Sequence, residues 1–283
     1  MLARAGDPAS AARPDGFPQL DLRVERQGSR SFLASRFATY PFHLTRTFRL
    51  DAACPQVATL YLQSSSGGLY AGEDLAMRIR VGRGAALHLT TQGSTIVHGD
   101  RGRTARMRIR IDVEDGAFFA FTPDPQILFP GAASDTRLEL HLASAAVAVL
   151  SDGCLLHDPA ANNAPPVSYA STTEVIRDRQ TVFVDRQRVK GFDMADPQGP
   201  LRGYPICASA LLLGLGTRLP PDHLEAALDL PGILRGATSL PEGCGIGGRL
   251  LAADGAAYTR GATAVFEAAF SAHFGIAPAP RRK

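Results

Sequence analysis

The sequence predicts an all-β (mainly β) fold: a helically wound, solenoid-like array of β-strands with a small C-terminal helical part. Two observations carry the prediction. A unit of strand, small-residue turn, second strand and polar segment recurs three times at about thirty residues, and apolar residues fall at helical spacing only late in the chain. A single two-stranded unit has a face to bury and cannot bury it alone. A fixed period of this size therefore points to stacked coils sharing one core rather than to a closed sandwich.

The elements follow in chain order. The first sixteen residues are rich in Ala, Asp, Pro and Gly and lack the apolar stretch of a signal peptide, which predicts a disordered tail over 1–17. Asp21 to Arg26 alternates as an opening strand turned by Gly28-Ser29, and Pro41 to Leu50 and Ala58 to Gln63 continue the pattern to the Gly67-Gly68 turn. In the first repeat Ala76 to Val81 alternates apolar and basic residues, Gly84-Ala85 turns the chain, and Leu87-His88-Leu89 runs into Thr90-Thr91-Gln92. The second runs Arg106 to Ile111, Gly116-Ala117, then Phe118 to Phe121 into Thr122-Pro123-Asp124-Pro125. The third is looser: Leu138 to Leu142, Ser144 to Ala146, then Val147 to Leu150 into Ser151-Asp152-Gly153. Met77, Met107 and Leu138 read as equivalent positions. Period 2 puts Met77, Ile79 and Val81 on one face and Arg78 and Arg80 on the other.

Beyond the repeats, Asn162 to Pro166 is a loop, with strands around Thr173–Ile176 and Thr181–Val184. Pro220-Pro221-Asp222 caps a helix over His223 to Leu230, and Ala262 to Phe274 places Val265, Phe266, Ala269, Phe270 and His273 at helical spacing before Gly275. The array spans 18–217, and the helical part, 218–283, packs on the same domain.

Bulk properties exclude several classes. A net charge of +3 is too small for a nucleic-acid footprint. The apolar run Ile206 to Leu215 is too short to span a bilayer. Cys54, Cys154, Cys207 and Cys244 are widely separated with no Cys-x-x-Cys pair, which argues against a zinc knuckle and fits a reducing cytoplasm.

The polar segments are where chemistry is expected. Gly67-Gly68-Leu69-Tyr70-Ala71-Gly72-Glu73-Asp74 sets two adjacent carboxylates on a turned loop, a pattern that holds a cation, faces a basic partner, or is solvated. Gly243 to Gly248 lacks the surrounding βαβ pattern of a phosphate loop and reads as a flexible turn. His88, His98, His141 and His157 lie on or near the repeats, and Cys154 with His157 supplies two of the ligands a nickel or zinc site needs. No Gly-x-Ser-x-Gly elbow occurs, and nothing couples a nucleophile to a base, so the chain does not read as an enzyme. An alternative is a β-helical enzyme acting on an extended substrate such as a polysaccharide, although adjacent carboxylates fit acid/base geometry poorly.

The succession Gly67-Gly68-Leu69-Tyr70-Ala71-Gly72, Thr90-Thr91-Gln92 to Val97-His98, and Pro123 to Ala132 resembles the UreD (UreH) family of urease accessory proteins. Gly28 to Ser31, Pro41 to Arg46 and the Asp185-Arg186 pair resemble its opening strands and late motif. The resemblance implies a wound β-strand array and a non-enzymatic chaperone that binds apo-urease and the partners UreF and UreG so that nickel reaches the urease active site, by way of a proposed tunnel. It implies no tightly bound cofactor, only transiently held Ni²⁺. Glu73 and Asp74 would lie near that path or at the partner surface, and Gly67, Gly68, Tyr70, Gly72, Thr91, Gln92, Asp124 and Pro125 in the scaffold around it. The chain departs from the family in Ala120 to Pro123, where an acidic residue is missing, at Ile96, and in 153–167, where Gly-Arg and Gly-Glu pairs are absent. Cys154, His157 and Asp158 are candidate replacements along the metal route. A family scaffold that has lost its nickel role is the remaining alternative.

Overall fold

The computed structural model describes residues 18–99 and 103–281; the tail expected over 1–17 lies outside them. Strands β1 (Leu20–Gln27) and β2 (Arg30–Ala38) form a hairpin, and β3 (Phe42–Leu44) pairs antiparallel with β4 (Val57–Ser64). Three coils follow. The first is β5 (Asp74–Val81) and β6 (Ala86–Thr91); after the short β7 (Ile96–Val97), the second is β8 (Ala105–Val113) and β9 (Phe118–Thr122). After β10 (Gln126–Leu128), the third is β11 (Ala133–Leu142) and β12 (Val147–Leu156). The hairpin of β13 (Ser168–Arg177) and β14 (Gln180–Lys190) leads through α1 (Gly191–Ala195) to β15 (Ile206–Leu213). The chain ends with α2 (Pro221–Ala227), β16 (Ile233–Ser239), β17 (Gly245–Ala252) and α3 (Gly255–Phe274).

Each coil puts its first strand in one sheet and its second in the other. The seven-stranded sheet runs β14-β13-β11-β8-β5-β1-β2, and the ten-stranded sheet runs β16-β17-β15-β12-β9-β6-β4-β3, with β10 beside β12 and β7 beside β10. Successive coils are parallel neighbours, as the stacked-coil reading requires. The turns show why small residues recur. Ala85, Ala117 and Ala146 are all fully buried, and each donates its N–H to the carbonyl three residues back. Gly84 and Gly116 adopt φ of +64° and +68°, the left-handed region that a side chain would strain.

The core between the sheets is built in rungs. Leu22, Ile79, Ile111, Leu140 and Val175 are register partners across five strands, all at 0% exposure. Leu60, Leu89, Phe121, Leu150 and Leu211 make a corresponding rung in the other sheet. Each such side chain contributes about 1.5–3 kcal/mol on burial. The register corrects one expected equivalence. Met77 pairs with Ile109, which pairs with Leu138, while Met107 lies a rung away between Leu75 and Thr136. A shift of two residues keeps a side chain on the same face, so alternation alone does not reveal it.

A second apolar layer covers the outer face of the ten-stranded sheet, where Phe118, Val147, Val149 and Leu212 pack beneath Leu224 of α2 and Val265, Phe266 and Phe270 of α3. Helix α3 starts at Gly255, earlier than the expected Ala262, because Asp254 caps it: its Oδ1 accepts the Ala257 N–H at 2.7 Å. Gly275, at φ +75°, ends it. Residues 218–283, expected as helical, also contribute β16 and β17. The glycine run read as a flexible turn enters β17, where a Cβ on Gly245 would lie 2.1 Å from the Leu212 carbonyl oxygen. The segment after α3 folds back so that Arg281 pairs with both carboxylate oxygens of Asp51, at 3.0 and 2.7 Å, and lies 5.1 Å over the Phe266 ring. Among the described residues no helix is long and apolar enough to cross a membrane.

Candidate functional site: a cavity between the sheets

The apolar filling between the sheets stops short at one end. There inward positions carry Thr136 on β11, Asp152 on β12, and Ser171 and Thr173 on β13 in place of the aliphatics found elsewhere on the rungs. The result is a cavity of about 380 Å³, walled by Met77, Ile109 and Leu138 on one side and Phe121 on the other. Its rim is made by the polar segments that end the coils: Ser66 to Gly68, Gln92 to Ile96, and Pro123, Asp124 and Gln126.

Asp152 stands at the deep end. It keeps some accessible surface where it lines the cavity, but its Oδ2 is out of solvent reach and has no partner of hydrogen-bonding geometry; the same holds for the Tyr169 hydroxyl. Burial pushes the Asp152 carboxyl above its ordinary range, against the opposing pull of the nearby Ser171 and Tyr169 hydroxyls and the Gly153 backbone. Burial also drives the Tyr169 phenol well up, with Asp152 adding to the effect. A carboxyl in this environment favours its protonated, uncharged form.

The rim is tightly organised. Gly68, at φ +142°, lies where a Cβ would come within 2.3 Å of the Ile96 carbonyl oxygen, and this close approach lets Leu69 exchange hydrogen bonds with Ile96 and His98. The His98 ring stacks on Tyr70 at 4.6 Å, meets Phe129 edge-on at 5.5 Å, and hydrogen-bonds the Gly67 carbonyl through Nε2 at 3.0 Å. Exposed His157 packs on Phe129 at 5.7 Å. Thr91 Oγ1 accepts the Asp124 N–H at 2.8 Å, and Gln92 is linked through Gln63 to His43. Pro125 is buried beneath this turn, and Gly72 at φ +86° carries the chain away from it.

The remaining expected residues are dispersed. Glu73 Oε2 accepts the Tyr70 N–H at 2.9 Å, whereas Asp74 pairs with Arg108 at 3.0 Å on the outer face of the seven-stranded sheet, so the two carboxylates diverge. His88, a candidate ligand, lies at 2% exposure on the ten-stranded sheet's outer face, stacked on Phe266 at 4.3 Å with Nε2 on Thr122 Oγ1 at 2.8 Å, because α3 roofs that face. Cys154 points into the core and its sulfur lies 3.3 Å from that of Cys207, whereas His157 follows the end of β12 and stands exposed, so the two do not form a pair of ligands. Asp158 accepts the N–H groups of Ala164, Ala160 and Asn162, and these bonds, chiefly that of Ala164, hold its carboxyl below the usual range and fix the loop. Among the described residues no three His, Cys, Asp or Glu side chains already converge as a metal site. Asp152, Tyr169, Ser171, Thr173 and Cys207 were not singled out from sequence, although Ser151-Asp152 visibly interrupts the apolar run of β12.

The seven-stranded sheet's outer face carries a field of charges. Asp21 pairs with Arg78 and Arg80, and Arg110 with Glu139, while exposed Arg106, Arg186 and Arg188 have no ion pair among the described residues.

Comparison with known proteins agrees with the architecture. The sequence model of the UreD urease accessory protein family matches residues 16–283. The chain is 42% identical to urease accessory protein UreD 1 of Bradyrhizobium sp. strain BTAi1, covering 93% of each chain, and 37% identical to UreD 1 of Methylorubrum extorquens strain PA1, covering 98% of this chain and 96% of that one. A UreD 1 from Pseudomonas syringae pv. tomato is 32% identical over 89% of this chain and 90% of its own length. The match spans the coils, the rim segments and the C-terminal roof together, and the chain belongs to the UreD urease accessory protein family.

Proposed function

We propose that this chain is a urease maturation chaperone that binds apo-urease together with UreF and UreG and provides part of the route by which Ni²⁺ reaches the urease active site. The observation that carries the reading is the cavity: a space between the sheets with apolar walls and a few polar side chains, rimmed by the coil-end segments and bordered by a buried carboxyl. Membership of the urease accessory family supports a role in urease maturation. The cavity's hydroxyls and amides are neutral and hard, suited to exchanging a hydrated divalent ion without trapping it. Asp152 supplies a negative charge only once it has lost its proton, which keeps the ion's hold weak and reversible.

The coils position the rim segments, and the arginines of the open sheet face that have no ion pair among the described residues suit a partner surface bearing carboxylates. The divergence of Glu73 and Asp74 removes the carboxylate pair on which the polysaccharide-enzyme alternative was based. The test is genetic. A strain deleted for this chain should make urease protein at normal levels with little nickel and little activity, both restored by the wild-type gene. Normal nickel loading in the deletion strain would refute the reading.

A further inference from the structure

Cys154 on β12 and Cys207 on β15 are register partners in an antiparallel pair, with their sulfurs 3.3 Å apart. Direct partners in such a ladder have Cα atoms about 4.5–5.5 Å apart, inside the range a disulfide spans. Cys54 and Cys244 lie elsewhere, beside Asp51 and Arg177. The two facing thiols are unequal. Cys154 is at 0% exposure, whereas Cys207 keeps some accessible surface. The hydrogen bond between them and burial hold the Cys154 thiol well up, while the same bond lowers that of Cys207 and leaves it the more readily ionised. Asp152 is two residues from Cys154 on the same strand face, so the pair sits directly behind the deep end of the cavity.

We propose that Cys154 and Cys207 form a redox-active dithiol that closes to a disulfide, stapling β12 to β15 at the deep end of the cavity. The oxidant is a low-molecular-weight disulfide such as oxidised glutathione. The Cys207 thiolate attacks one sulfur of that disulfide, forming a mixed disulfide and releasing one glutathione thiolate. Cys154 then gives up its proton, attacks the Cys207 sulfur and expels the second glutathione. Two protein thiols are oxidised and one disulfide is reduced to two thiols, so electrons and protons balance. The staple joins a coil strand to the antiparallel strands that carry the helical roof, and it fixes the segment bearing Asp152. This inference does not depend on the proposed function.

The experiment is thiol counting and peptide mapping of the folded, full-length protein after exposure to oxidised glutathione. Titratable thiols, counted in denaturant, should fall from four to two, with one cross-linked peptide pair containing Cys154 and Cys207. The unfolding midpoint should rise, and dithiothreitol should reverse both changes. In the Cys154→Ser variant, Cys207 should retain glutathione as a stable mixed disulfide. Retention of all four thiols in the wild type, or cross-links involving Cys54 or Cys244, would overturn the proposal whether or not the variant folds.

Discussion

The two sheets share a core but treat their outer faces in opposite ways. On the seven-stranded sheet, arginines alternate with core residues and stand in solvent, paired loosely with Asp74, Asp112 and Glu139. On the ten-stranded sheet the outward positions are Phe118, Val147, Val149 and Leu212, roofed by α2 and α3 and locked by Arg281 on Asp51. The same alternation therefore builds a solvated wall on one side and a buried interlayer on the other. Charges on the open wall carry little stability, whereas removing one partner of the buried Arg281–Asp51 pair under the roof leaves an uncompensated charge and costs far more.

The sharpest way to break this contrast is at the latch. The Asp51→Ala variant leaves the Arg281 guanidinium buried with no carboxylate, with side-chain exposures of only 12% and 3% in the intact pair. Denaturant unfolding should show a loss of about 3–5 kcal/mol. Removing the α3 cap with Asp254→Ala should cost about 1 kcal/mol by the same measurement, because only one amide at the roof's edge loses its partner.

The cavity's deep end should respond in the opposite direction. A carboxyl whose folded-state pKa lies above its unfolded value favours the protonated form in the fold. It costs nothing below the ordinary value of 3.8, and its cost is complete once pH has risen through the raised value. Stability of the wild type should therefore fall along that rise. The Asp152→Asn variant should lack this component and be more stable at neutral pH by about 1 kcal/mol, read from denaturant midpoints across pH. The smallest effect belongs to the open wall. Arg108→Ala removes an exposed pair with Asp74 and should change stability by under about 1 kcal/mol, and the Arg106→Glu, Arg186→Glu, Arg188→Glu combination should leave the fold intact while weakening association with the partner proteins in co-purification.

The sequence made the coils legible because the thirty-residue unit repeats its turn alanine and its strand alternation in order, and both have direct structural consequences: a buried Ala at each turn and a shared face on each strand. What alternation cannot carry is register, and Met107 lies one rung from its expected place for that reason. The roof was only half legible. Apolar spacing from Val265 to Phe270 marked α3, but nothing in the local pattern said that it would cover His88, a contact across most of the chain. The site divides in the same way. The rim segments were found because their glycines and polar runs are local signals, whereas the deep end depends on β12 meeting β13 and β15, so that Asp152, Tyr169, Cys154 and Cys207 come together only in three dimensions. The polar break at Ser151-Asp152 was the one trace of it in the chain.

The proposed function places the cavity bordered by Asp152 on the ion's path. Its most direct test is the nickel content of urease purified from cells carrying the Asp152→Asn variant as the sole copy, alongside co-purification of the variant with urease. Association at the wild-type level with urease nickel reduced severalfold is the result expected here. Urease fully loaded with nickel by a stably folded Asp152→Asn protein would contradict it.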